Sequence, residues 1–373
     1  MAPRAPHSRR VPTPHSSYRF RNGVTVPNRI ALAPLTNLQS HADGTLSDVE
    51  LAWLARRAAG GFGMLETCAA YVAKDGQGWP GELGVDRDDQ VPRLRELATA
   101  LAAEGGLGVV QLFHGGTRSP SSLTGAQPWS ASAYHEDGPE FEAPRAATED
   151  DLARAIAAFA DAAARCERAG FGGVELHGAH GYLLSQFLST AMNLRTDGWG
   201  GELPGRARLI RTVMRAVRAA VSPGFVVGVR LSPEDFGQAR GLDLDESIAV
   251  ARGLCEDGAD FIHLSLWRSE RMTAKRPDQH PIPLFRAALP ADVAIVVAGA
   301  IWTVAEAQAA LDRGADLVAL GRAAIVNPDW PRASAAPGWE PRRPPLTIAE
   351  LEARAVSPHF GGYLRRWKGF VAD

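Results

Sequence analysis

Eight short apolar runs, each followed by a stretch of helical period, constrain this chain more than any other feature. The runs fall at residues 28–34, 62–68, 108–113, 172–177, 226–232, 261–266, 294–301 and 317–323. Runs such as GGVELH, VVGVRLS and AIVVAGAI are apolar almost throughout, without a clean polar face. Strands of that kind belong in a parallel sheet covered on both sides by helices. Amphipathic segments at 48–59, 92–103, 148–169, 206–220, 245–257 and 304–313 supply the cover. Eight such units predict an α/β fold, a closed (β/α)8 TIM barrel forming a single domain. An open doubly wound sheet is the alternative, although the Gly-x-Gly-x-x-Gly turn of its dinucleotide-binding form is missing after the first strand.

The 373 residues, 45% of them hydrophobic, suffice for such a core. A net charge of −2 argues against nucleic acid or an anionic membrane as the main partner. The sequence has no apolar run of the length needed to cross a bilayer. The first sixteen residues, MAPRAPHSRRVPTPHS, are basic and Pro-rich without an apolar stretch, and read as a disordered lead-in. The barrel is expected over 17–330. A Pro-rich segment, a short helix and a tail over 331–373 would pack on the barrel or on a partner subunit. Cys68, Cys166 and Cys255 are too scattered for a metal cluster or a disulfide framework and suit a reducing, cytoplasmic setting.

In a barrel the chemistry collects at the C-terminal strand ends. Those ends are polar here. They carry Pro34-Leu35-Thr36, Glu66-Thr67, Gln111 with Phe113, then His177, His180 and Tyr182, and Arg230. Core packing would place apolar residues there instead. The last two strands end in Gly299-Ala300 and Gly321-Arg322. Glycine lets backbone N–H groups approach a phosphate closely, and an arginine adds a bidentate contact. Two histidines and a tyrosine within six positions suit polarising a carbonyl-like oxygen and delivering a proton nearby. Glu66 reads either as a general base or as an anchor for backbone or neighbouring loops, and His263 as a satisfied core or near-core histidine.

These residues resemble the Old Yellow Enzyme family of FMN-dependent ene reductases. The resemblance runs through Asn28-Arg29-Ile30, Ala33-Pro34-Leu35-Thr36, Gln111-Leu112-Phe113-His114-Gly115-Gly116 and His177-Gly178-Ala179-His180-Gly181-Tyr182. It continues with Asn193, Arg195, Asp197, Arg230, Gly299 and Gly321-Arg322. It implies an FMN cofactor, with NADPH or NADH as reductant and an electron-poor alkene as substrate. Pro34, Leu35, Thr36, Thr67, Gln111 and Arg230 would contact the flavin ring. Gly299, Ala300, Gly321 and Arg322 would hold its phosphate. His177 and His180 would bind the substrate oxygen beside Phe113, and Tyr182 would protonate the α-carbon. Asn37, Thr67, Thr117, Trp199 and Pro204-Gly205 depart from common family residues and bear on substrate scope. The resemblance also admits a homodimer or higher homo-oligomer. Arg365 or Arg366, set between aromatics, would then reach a neighbouring site, unless the tail packs on its own barrel. The readings outside this family are a phosphate-binding aldolase or isomerase, and an FMN sensor without turnover.

Overall fold

Eight parallel strands close into a ring in the computed structural model, which describes residues 12–135, 141–235, 237 and 239–372. They are β1 (Ile30–Leu32), β2 (Met64–Tyr71), β3 (Leu107–Phe113), β4 (Gly173–Gly178), β5 (Val226–Leu231), β6 (Phe261–Ser265), β7 (Ala294–Ala298) and β8 (Leu317–Leu320). Each strand pairs with its sequence neighbours, and β1 pairs with both β8 and β2, which shuts the barrel. The main covering helices are α1 (Asp48–Ala59), α2 (Val91–Ala102), α3 (Glu149–Ala169), α4 (Arg208–Ala220), α5 (Leu244–Glu256), α6 (Pro281–Ala288) and α7 (Val304–Asp312). Side chains of Ser47, Thr148, Asp243 and Thr303 cap four of these helices by accepting N–H bonds from the first turn. Each such cap stabilises its helix by about 1 kcal/mol.

Strand residues alternate between two cores. Ile30, Leu65, Val110, Leu176, Val227, Ile262, Ile295 and Val318 pack outward against the helices. Ala31, Met64, Val109, Val226, Phe261, Ala294, Val296 and Leu317 fill the lumen. A hairpin of Tyr18–Arg19 and Thr25–Val26 plugs the N-terminal end, with Phe20 against Phe261 at 6.3 Å between centroids. Gly228 makes room for that plug, since a Cβ there would meet the Phe261 ring at 2.1 Å.

The structure departs from the sequence reading in three places. Strand β2 runs on to Tyr71, and its register against β3 shifts between Glu66 and Ala69. Helix α6 was not among the expected segments. Two prolines obscure its pattern, but both lie in the first turn, where the missing N–H costs no internal bond. The lead-in is described only from residue 12. There His15 Nε2 lies 3.0 Å from Ser334 Oγ, and Arg29 N–H donates to the Pro14 carbonyl, so 12–16 is fastened to the barrel. The remainder of that expectation, 1–11, lies outside the described residues. Of the two placements expected for the tail, the structure shows packing on its own barrel through α8 (Pro358–Leu364). Phe360 stacks edge-on to Trp53 at 5.9 Å, and buried Arg57 donates to the carbonyls of Trp53, Ala324, Ile325 and Arg354.

Candidate active site

A cavity of about 750 Å³ opens at the C-terminal ends of the strands. The strand period aims one inward side chain from each strand at its floor and walls, among them Ala33, Ala69, Gln111, His177, Arg230, Ser265, Ala298 and Ala319. Above them Pro34, Leu35 and Thr36 leave β1, and Gly299, Ala300, Gly321 and Arg322 leave β7 and β8, all lining the same space. Gly299 is required where it stands, because a Cβ would come within 2.7 Å of the Ser269 backbone nitrogen. Ala300 takes a left-handed backbone, φ 52°. Strain of this sort persists where surrounding contacts enforce it, and it gathers at functional sites.

His180 is also left-handed, φ 62°, and a chain of hydrogen bonds holds it there. Its N–H donates to Ser232 Oγ at 3.1 Å, Nδ1 lies 3.3 Å from His177 Nε2, and Nε2 lies 2.7 Å from Ser265 Oγ. The Ala179 N–H donates to His177 Nδ1, so a neutral His177 carries its proton on Nε2, toward the cavity. Burial pushes both imidazoles well below the usual histidine range. The second ring and Arg230 add to this at His177, and Arg230 and Arg118 at His180. Both rings are therefore neutral donors at neutral pH.

Tyr182 stacks edge-on to Phe113 at 4.5 Å and to His177 at 4.9 Å. The Arg118 guanidinium lies 4.4 Å over its ring and donates to the His180 carbonyl. Burial raises the phenol above its ordinary value, so the proton stays on oxygen. Arg230 donates to Ser265 Oγ at 3.2 Å, and among the described residues its buried Nε has no hydrogen-bond partner. Gln111 Nε2 donates to Glu175 Oε1 at 2.7 Å.

The structure brings together Pro34, Leu35, Thr36, Gln111, His177, His180, Tyr182, Arg230, Gly299, Ala300, Gly321 and Arg322. It leaves two expected residues out of the lining. The bulge in β2 puts Ala69 opposite Gln111 and turns Thr67 away, where its hydroxyl accepts the Gln111 backbone N–H and donates to the Cys68 carbonyl. Phe113 is fully buried behind Tyr182, Trp79 and His177 and acts on the cavity through them. Among the described residues neither oxygen of Glu66 has a hydrogen-bond partner, backbone included, and His263 Nδ1 is 3.5 Å away.

Sequence reasoning missed Ser265, Trp79, Arg343 and the aromatic wall of Phe360, Tyr363 and Trp367. Counting inward positions on β6 as 261, 263 and 265 would have found Ser265. The others come from loops and the tail, where no strand period applies. Arg366 stacks over Tyr363 and Trp367 of its own tail, at 4.9 and 5.7 Å. Glu306 accepts the N–H groups of Trp302 and Thr303, so those two amides at the start of α7 are already engaged.

A second cavity of about 520 Å³ adjoins the first, with Trp79 and Tyr182 lining both. Among the described residues, no helix is long and apolar enough to cross a membrane.

Comparison with known proteins agrees with this geometry. A profile of the NADH:flavin oxidoreductase / NADH oxidase family matches residues 18–336. The chain is 36% identical over 320 residues to the probable NADH-dependent flavin oxidoreductase YqiG of Bacillus subtilis, covering 84% of this chain and 85% of that one. It is 32% identical over 324 residues to an NADPH dehydrogenase of Halalkalibacterium halodurans, covering 86% and 93%. The solved old yellow enzyme homologue from Zymomonas mobilis superposes with a TM-score of 0.79 at 31% identity, over 88% of this chain and 94% of that one.

Proposed function

The chain belongs to the NADH:flavin oxidoreductase / NADH oxidase family and is an FMN- and NAD(P)H-dependent oxidoreductase, and from that premise we propose that it reduces activated alkenes. The substrate class is an α,β-unsaturated carbonyl or nitro compound. One observation carries the reading: two neutral imidazoles and a protonated phenol share a wall of a cavity whose floor is an arginine and an amide.

The residues present fit the cofactor. Gln111 offers a donor and an acceptor to a pyrimidine edge, and the unpartnered Arg230 Nε is a donor for a ring edge that gains negative charge. Gly299, Ala300, Gly321 and Arg322 suit a phosphate at the far end, with Arg343 a further cation beside Trp302. Thr36 lines the same cavity and would hydrogen-bond the flavin O4 edge. FMN, when bound, would supply the hydride chemistry at the substrate β-carbon, with NAD(P)H as the reductant.

The rest is done by side chains. His177 gives its Nε2–H to the substrate oxygen in place of His180 Nδ1, and His180 donates as well once its own proton sits on Nδ1 and Ser265 Oγ donates to its Nε2. Ser265 supports that change because a hydroxyl both donates and accepts. Polarisation of the oxygen makes the β-carbon electrophilic. Tyr182 then gives its phenolic proton to the α-carbon and regains one from solvent, so the alkene gains one hydride and one proton. Arg118 over the phenol ring stabilises the phenolate formed in passing.

The test is optical. Purified protein should be yellow, bleach when NADPH or NADH is added without oxygen, and recover its colour with an enone. A protein that bleaches but does not recover with enones or nitroalkenes sinks the substrate class.

A further inference from the structure

Aliphatic side chains ordinarily fill the layers inside a barrel. One layer here is ionic. Glu66 on β2, Glu175 on β4 and His263 on β6 come from alternate strands, and their side-chain N and O atoms lie within 4.8 Å of one another. All three are fully buried. His263 Nδ1 sits 2.7 Å from Glu175 Oε2 and 3.5 Å from Glu66 Oε1. The second Glu175 oxygen accepts from Gln111 Nε2 at 2.7 Å. A carboxylate only accepts, so this contact turns the amide nitrogen of Gln111 toward Glu175 and leaves the amide oxygen and the second amide N–H for the cavity.

Arg230 on β5 and His180 at the mouth are the other charged or titratable groups acting on the cluster. Nearby inward positions from the other strands are Val109, Gly228, Val296 and Ala319. We propose that Glu66, Glu175 and His263 are a positioning relay: His263 clamps Glu175, Glu175 fixes the Gln111 amide, and Glu66 is the end through which pH reaches the cavity floor. The relay rests on the reading that FMN lies over Gln111.

The electrostatics agree with the geometry. Burial, then repulsion from Glu175, pushes Glu66 up to about 8, so it carries a proton at neutral pH. Burial works against ionised Glu175 and against a cationic His263. Their mutual attraction outweighs it, lowering the Glu175 carboxyl and raising the His263 ring. Once Glu66 ionises, His263 is shared between two carboxylates and its hold on Glu175 loosens.

Apoprotein labelled with 15N-histidine tests the cluster without cofactor. His263 should stay doubly protonated to higher pH than free imidazole and lose that shift in Glu175→Gln. A His263 that titrates in the ordinary range overturns the proposal. With FMN bound, the reduction potential is followed from about pH 6 to about pH 9, the interval that spans ordinary histidine and the raised carboxyl. The wild-type potential should fall more steeply than that of Glu66→Gln above about pH 8. Parallel slopes overturn the proposal.

Glu175→Gln should weaken FMN binding about tenfold, the scale of one charge-assisted hydrogen bond. Should that variant fail to fold, the near-isosteric Glu66→Gln carries the comparison alone. Gln111→Leu separates the two readings. Unaltered FMN affinity there overturns the placement of flavin over Gln111 and the relay with it. A Gln111 effect without a Glu175 effect overturns the relay alone. A stoichiometric divalent metal in the purified holoprotein also overturns it, by making the three residues ligands.

Discussion

His177 at the cavity mouth and His263 one layer beneath it are both buried, both face the lumen, and both lie in register with Arg230. They are driven to different charge states, one neutral and one cationic. His177 meets a second imidazole and two arginines, so burial and its neighbours act together and the ring stays neutral. His263 meets two carboxylates, and Glu175 reverses the cost of burial. The same side chain thus becomes a neutral donor where substrate is expected and a fixed cation where a floor must be held. The difference lies in which strand neighbours carry carboxylates. Arg230 serves both levels, since its charge depresses the mouth pair and is balanced from below by Glu175, and by Glu66 only once that carboxyl ionises.

Variants that break the mouth should be the most damaging to turnover. Tyr182→Phe removes the acid and should slow alkene-driven reoxidation by about 10²–10⁴-fold, while bleaching by NAD(P)H persists. Stopped-flow absorbance of the two half-reactions checks this. Equal loss in both would show that Tyr182 shapes the cavity and is not the proton donor. His180→Ala should cost about 10²–10³-fold in the alkene step, the scale for one oxyanion donor. An effect confined to nicotinamide oxidation would place His180 with the reductant instead.

The mouth was legible from the sequence because its residues occur in one run, His177 to Tyr182, at the end of a strand with unmistakable period. The barrel was legible for the same reason. The floor was not. Glu66, Glu175 and His263 sit 88 to 197 positions apart in pairs that only closure of the ring brings together, and each alone resembles an ordinary core polar group. Thr67 was misplaced because a bulge shifts strand register without a mark in composition. The tail could not be assigned to its own barrel by pattern, since Tyr363 and Trp367 look alike whether they cover their own cavity or a neighbour's.

Stability against pH should separate the two levels with opposite signs. Glu66 and His263 have raised folded values, so the native state holds protons that the unfolded chain releases. Their contribution is complete below the unfolded values and is lost as pH rises, through about 8 for Glu66. His177 and His180 are lowered, so their contribution is present above the ordinary histidine range and is lost as pH falls through it. Each fully coupled proton is worth about 1.4 kcal/mol per pH unit at most. Thermal melts of apoprotein should show Glu66→Gln flattening the alkaline fall, and the double change His177→Asn with His180→Asn flattening the acid fall. If both variants flatten the same limb, the different charge states are wrong.

The smallest expected effect sits at the joint between the levels. Ser265 Oγ touches His180 Nε2 and Arg230 together, so it transmits the arginine's position to the mouth without meeting the floor carboxylates. Ser265→Ala removes one neutral and one charge-assisted bond, and the net loss of about 1 kcal/mol corresponds to roughly fivefold in the alkene step. Flavin potential and its pH slope should stay as in the wild type, because Glu175 and His263 are untouched. If Ser265→Ala instead moved the potential, Arg230 would be held from above by the hydroxyl and not balanced from below, and mouth and floor would be one electrostatic unit.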